Sequence, residues 1–319
     1  MQKLLLHWGI GAFLLPIVLC GQRAPNSRFG GVQVGVITYS YRSMPHDIDQ
    51  LIGFCRQSGV SAVELMGDVV EEYAGRPRSE FSWRSGPRSS MTDLQRAQMA
   101  TYQKQVAAWR ESVPMDKFLE VRRKFDAAGI RIYAFKPGAF GPGNTDGEVS
   151  WGMRVARVLG AGSVTLELPT DPNQTLRLAR LAEKHSLRVG YHNHTQARDT
   201  LWDMALSQSR RNTINFDAGH YLAAGGANTA SSLLAFLKKN HRRISSMHLK
   251  DRSTPARGAG NLPWGMGDTP IGDILRLMQS EQMRFPVSIE LEYAIPEGSD
   301  AVFEVKKCVD YARKILEGA

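Results

Sequence analysis

From Val32 onward the chain alternates between short β-branched apolar runs and longer stretches whose apolar residues recur every three or four positions. These are the patterns of buried strands and of helices packed over them. The strand-like runs are Val32–Thr38, Ala62–Met66, IRIYAFKP (130–137), SVTLELP (163–169), RVGYHNH (188–194), INFDAGH (214–220), ISSMHLKD (244–251) and PVSIELEY (286–293). The first helix is expected from an Asp47 cap to about Ser58, with Gly59 ending it. Others are expected over 116–128, 147–159, 172–186, 201–207, 230–239, 270–281 and 300–316. The rhythm breaks at Gly67–Pro114, which starts as a Gly/Pro/Ser/Arg-rich loop and continues as a helix-like stretch from Thr92 to about Glu111. A long insertion after a strand suits a lid or substrate loop.

Eight strand–helix units between residues 31 and 319 match the size of an α/β (β/α)8 TIM barrel. A doubly wound open sheet would carry a glycine-rich turn after its first strand. Here that turn reads TYSYRS, without glycine, and the barrel is the expected fold.

Polar residues stand at the ends of these runs: Glu167, His192, His194, Asp217, His220, His248 and Glu290. Parallel strands followed by helices present their C-terminal tips on one rim, where such folds hold their chemistry. Carboxylates and imidazoles gathered there are ligands for a divalent metal. An unpaired buried carboxylate is costly, so Glu167, Asp217 and Glu290 inside apolar runs are expected beside a cation. Glu292 shares the parity of Glu290, and strand alternation alone does not separate them.

With 319 residues and 42% hydrophobic content the chain can bury a large core. Its formal charge of +9 is dispersed, with short clusters at 122–124, 210–211 and 238–243. Two of these fall where helices end and a cation complements the dipole; no nucleic-acid partner is expected. Cys20, Cys55 and Cys308 make no disulfide framework. The opening MQKLLLHWGIGAFLLPIVLCGQ has an early lysine and an apolar stretch of signal length. Residues 1–20 are expected to be an export signal, 21–30 a linker and 31–319 the barrel with its 67–114 insertion. The opening also resembles a lipoprotein signal with Cys20 as the acylated residue, although Leu19 stands where that pattern has a small residue. The expected location is periplasmic or membrane-anchored.

The segments GYHNHTQ (190–196), NFDAGHY (215–221), MHLKDR (247–252), WGMGDTPIG (264–272) and IELEYAIPEGSD (289–300) together resemble the sugar-phosphate isomerase/epimerase group. These are barrels similar to xylose isomerase and to apurinic endonucleases of the second type. The resemblance implies a divalent ion, most often manganese, with Mg, Co and Zn as alternatives. Its ligands would be Asp217, His248 and Glu290. Many members have a glutamate where this chain has His192; Glu167 is taken as the fourth ligand, with His192 as the alternative.

Three carboxylates and one imidazole would suit Mn or Mg, with a small carbohydrate as substrate and an enediolate as the reaction's centre. Glu167, Glu290, His192 and His194 are candidates for the general base. Lys136 is expected to donate to a substrate oxygen or to pair with Glu64. Glu64, His194, His220 and Lys250 are expected to face the substrate, and His220 offers a ligand to a second metal. Isomerisation, epimerisation or elimination from a 3-keto-glycoside would all fit. The rival readings are an abasic-site endonuclease, which needs additional histidines that Glu64 and Lys136 do not supply, and a non-catalytic sugar-binding barrel.

Overall fold

The computed structural model describes residues 24–45, 47–79 and 91–318. The expected export signal and Cys20 lie outside the described residues. Eight parallel strands form the barrel: β1 (Val32–Ile37), β2 (Ala62–Met66), β3 (Arg131–Lys136), β4 (Ser163–Glu167), β5 (Arg188–His192), β6 (Asn212–Asp217), β7 (Ile244–Leu249) and β8 (Val287–Ile289). Each pairs with the next, and β8 returns to β1 to close the ring. A two-residue strand, Arg28–Phe29, pairs antiparallel with the start of β1.

Local sequence explains where the helices begin. Asp47, Thr92, Thr145 and Thr229 each accept a bond from the backbone three residues on, and the residue there bonds back, closing a capping box. Apolar faces then pack onto the strands, with Leu51, Phe118, Trp151, Leu178, Leu233 and Ile274 fully or almost fully buried.

Two expectations need adjusting. The insertion opens on a helix, Gly67–Tyr73, where a loop was expected; the cap residue Met66 makes no side-chain cap bond, so the sequence carries no start signal there. The DAGH segment is not strand to its end. β6 stops at Asp217, which caps the helix Ala218–Ala224 and accepts from the His220 amide at 2.6 Å.

The barrel axis is unusually polar. Branched aliphatic side chains normally fill such an interior, but Glu64 lies here with no exposed surface. It accepts from Thr165 at 2.7 Å, Asn215 at 3.1 Å, His248 at 3.0 Å and Ser288 at 3.3 Å, drawing on β4, β6, β7 and β8.

The insertion helix Asp93–Ser112 is held by Arg110, whose guanidinium donates to Glu148 at 2.9 Å and to Glu71 at 3.3 Å. All three side chains are buried. Removing one partner of a buried pair strands the other charge. Arg110→Ala is expected to cost about 3 kcal/mol in urea unfolding, whereas Asp93→Ala on the exposed face should change little; equal effects would contradict this account.

Candidate metal centre

At the C-terminal ends of β5 to β8 four side chains converge: His192, Asp217, His248 and Glu290. Each offers a ligand atom within 4.8 Å of the others, and all four are buried. Strand register places them, since Asp217 is paired with His248 across β6 and β7, and Glu290 follows β8 immediately.

The hydrogen bonds fix which atoms face inward. Asn215 uses its amide nitrogen to donate to Glu64 and to Ser246, at 3.1 and 2.9 Å. Its oxygen, 2.9 Å from His192 Nδ1, must therefore accept from that ring. Nε2 of His192 is left with its lone pair, 3.9 Å from Asp217 Oδ2. His248 has Glu64 against Nε2 at 3.0 Å and Glu290 against Nδ1 at 3.1 Å. With Glu64 accepting the Nε2 proton, Nδ1 is the nitrogen on the ligand side, the arrangement by which an outer carboxylate orients a metal-binding histidine. Asn193 clamps Asp217 from both sides, accepting from its amide at 2.8 Å and donating to its carbonyl at 3.1 Å.

Asp217 Oδ2 is buried and accepts no hydrogen bond, although Lys250 Nζ lies 3.1 Å away. The Lys250 ammonium is the cation that faces this oxygen, and a divalent ion bound here would share the carboxylate with it. Two imidazole nitrogens and two carboxylate oxygens fit a divalent ion such as Mn, Co or Zn.

Charge within the pocket is already paired. Burial alone would lower His248, but Glu64 and Glu290 lift it to about 10. Burial would raise Glu64, yet the His248 cation brings it down to about 2. His192 is pushed down to about 4 by burial and by the charge on His248. Lys250 is held above the ordinary lysine range, against its burial, by Asp217, Glu290 and Glu292. Its Nζ stands 2.7 Å from both Glu290 and Glu292, and 3.0 Å from His220 Nε2. Burial and the Lys250 charge hold His220 down near 3.

Two sequence segments shape this wall. A Cβ at Gly219 would meet Lys250 Cγ at 2.5 Å, so the glycine of DAGH leaves room for that side chain. Asp251 accepts from the amides of Gly265, Gly267 and Thr269, at 2.8, 2.9 and 3.2 Å, and so ties the WGMGDT loop to the end of β7.

The other expected residues are distributed as follows. Glu167 sits at the open rim, 51% exposed, with Lys136 at 3.0 Å and His194 at 3.3 Å. It is outside the group of four side chains that could hold a metal ion, in which His192 stands beside Asp217, His248 and Glu290. Lys136 therefore pairs with Glu167, and the alternative pairing with Glu64 is not formed. Glu64, expected to face the substrate, lies instead beneath the cluster because four strands supply donors to it inside the barrel. Lys250, also expected at the substrate, is buried among carboxylates. His194 and His220 flank His192 and form with it a second group of three imidazoles. Sequence reasoning missed Asn193 and Asn215; the available signal was an amide inside the apolar run INF and another between two histidines.

A family model described as xylose isomerase-like TIM barrel matches residues 94–310. Among solved structures, a sugar phosphate isomerase/epimerase from Parabacteroides distasonis is 15% identical, with TM-score 0.57 over 90% of this chain and 96% of that one. D-psicose 3-epimerase from Clostridium cellulolyticum, solved with D-tagatose, is 10% identical with TM-score 0.58, covering 89% and 99% of the two chains. A xylose isomerase-like TIM barrel protein from Mycobacterium smegmatis in complex with magnesium is 12% identical with TM-score 0.53, covering 90% and 97%. No curated protein matches the chain.

Nitrogen-15 spectra of the metal-free protein should show His248 as an imidazolium up to about pH 10 and His192 as the neutral Nδ1–H tautomer down to about pH 4. A neutral His192 carrying its proton on Nε2 would refute the hydrogen-bond assignment through Asn215, and one that protonates near the ordinary value of about 6.5 would refute the effect of burial and the His248 charge.

Proposed function

The chain belongs to the xylose isomerase-like TIM barrel family, and from that premise we propose that it is a divalent-metal-dependent carbohydrate enzyme. It removes the proton beside the carbonyl of a keto-sugar or related polyol. The observation that carries this reading is the four-ligand group itself, with Asp217 Oδ2 undirected and His192 Nε2 already carrying a free lone pair. A divalent ion held by His192, Asp217, His248 and Glu290 would act as a Lewis acid on the substrate carbonyl.

The chain's own residues then divide the work. Glu167 is the assigned base: it is half exposed at the rim, while the carboxylates of Asp217 and Glu290 are buried in the ligand group. Lys136, beside it, supplies a cation for the oxyanion that grows as the proton leaves. His194 contacts the second oxygen of Glu167 and orients it. A cavity of about 540 Å3 lined by Lys136, Phe140, Glu167 and Leu168 opens beside this base, and none of the four ligand residues lines it. Return of the proton from Glu167 to the neighbouring carbon gives an isomer, and delivery of a proton from a donor on the opposite face gives an epimer. Departure of a β-substituent with its bonding pair gives elimination. We retain the export signal over residues 1–20 and a lipid at Cys20 as part of this proposal, with a free sugar rather than a phosphosugar as substrate.

One observation favours a second reading. Lys250 Nζ lies 3.1 Å from Asp217 Oδ2 and 2.7 Å from Glu290, so its ammonium already supplies a positive charge to the ligand carboxylates. A barrel that works with this lysine in place of a metal would lose activity with Lys250→Met and keep it after exhaustive chelation.

Metal titration by calorimetry in buffers of differing protonation enthalpy should show proton release at pH 8. His248, lifted to about 10, must lose its proton to become a ligand. Full metal binding without proton release would exclude His248 from the site.

Incubation with keto-sugars in D2O should introduce deuterium beside the carbonyl. Glu167→Gln should keep the metal and slow exchange roughly a hundredfold or more, whereas His192→Asn, Asp217→Ala and His248→Ala should lose metal. Metal lost from Glu167→Gln and kept by His192→Asn would return Glu167 to the ligand set.

A further inference from the structure

The opposite end of the barrel carries chemistry that the proposed reaction does not use. A cavity of about 1000 Å3 opens where the strands begin. Its lining includes Arg28, at the head of the short strand before β1; Arg131 and Arg188, the first residues of β3 and β5; and Arg242 and Arg284, just before β7 and β8. Glu281 is the single carboxylate among the lining residues. Among the described residues none of these five arginines forms an ion pair. Arginines elsewhere do find carboxylates, as Arg177 does with Asp146 at 2.6 Å and Arg211 with Glu183 at 2.6 Å.

Like charges gathered around one concavity repel each other, and the fold gains nothing from them unless an anion is present. Guanidinium groups offer paired donors in a plane, which match phosphate oxygens. Gln33, Gln279 and Gln282 add neutral amides to the same wall.

We propose that the foot of the barrel is a binding site for a phosphate-bearing anion, either free in solution or as the headgroup of an anionic lipid. The site is independent of the reaction assigned to the other mouth.

The test uses the full chain in two arms, tripolyphosphate titrated by calorimetry and sedimentation with phosphatidylcholine vesicles with or without phosphatidylglycerol. Arg131→Gln/Arg188→Gln is the test variant. Lys104→Gln/Lys117→Gln, exposed on helices of the insertion and beyond it, makes the same change in net charge away from the cavity. Tripolyphosphate binding that weakens about tenfold or more per guanidinium removed, in the test variant alone, supports a free anion. Sedimentation only with phosphatidylglycerol, lost in the test variant alone, supports a lipid headgroup. Binding in neither arm, or equal loss in both variants, overturns the proposal. Circular dichroism of each variant separates loss of binding from loss of fold.

Discussion

A single buried carboxylate organises the upper half of this barrel. Glu64 has no contact with solvent, and an isolated charge in that position would be untenable. Its stability there depends on His248 being a cation in the metal-free protein and on hydroxyl and amide donors from three further strands. The dependence is mutual. Without Glu64 the His248 ring would lack its Nε2 partner, Asn215 would be free to turn, and His192 would lose the bond that sets its tautomer. The ligand geometry is thus inherited from a residue one layer below it.

The same constraint explains the dense pairing of charge above. Glu64, Asp217, Glu290 and Glu292 face two cations, His248 and Lys250. Burying so many ionised groups is tolerable only if each keeps a partner. An arriving divalent ion would share carboxylates that His248 and Lys250 already hold, so its binding would be coupled to proton transfer in this pocket.

Much of this was legible in the sequence. The alternation of apolar runs and helical stretches marked all eight strands, and Asp217, His248 and Glu290 stood out as charged or basic groups at the ends of apolar runs. What the sequence could not resolve was depth. Glu167 and His192 are register partners on neighbouring strands, and both read as strand-end residues, yet one is half exposed and the other buried. The role of Glu64 was hidden for a similar reason. The run AVELM contains one charge and no partner, because its donors come from β4, β6, β7 and β8, the nearest of them 101 residues away in the chain. The helix Gly67–Tyr73 escaped notice because nothing at its start resembles a cap.

The Asp251 clamp has an evolutionary corollary. Its two oxygens take three amides from positions 265, 267 and 269, and a Cβ at Gly267 would stand 2.2 Å from one of those oxygens. A residue inserted or deleted between 265 and 269 would pull at least one amide out of reach and leave a mostly buried carboxylate short of donors. Most surface loops tolerate changes in length, but this one is metered by a single side chain. Its length should drift far less among descendants of this sequence than its composition.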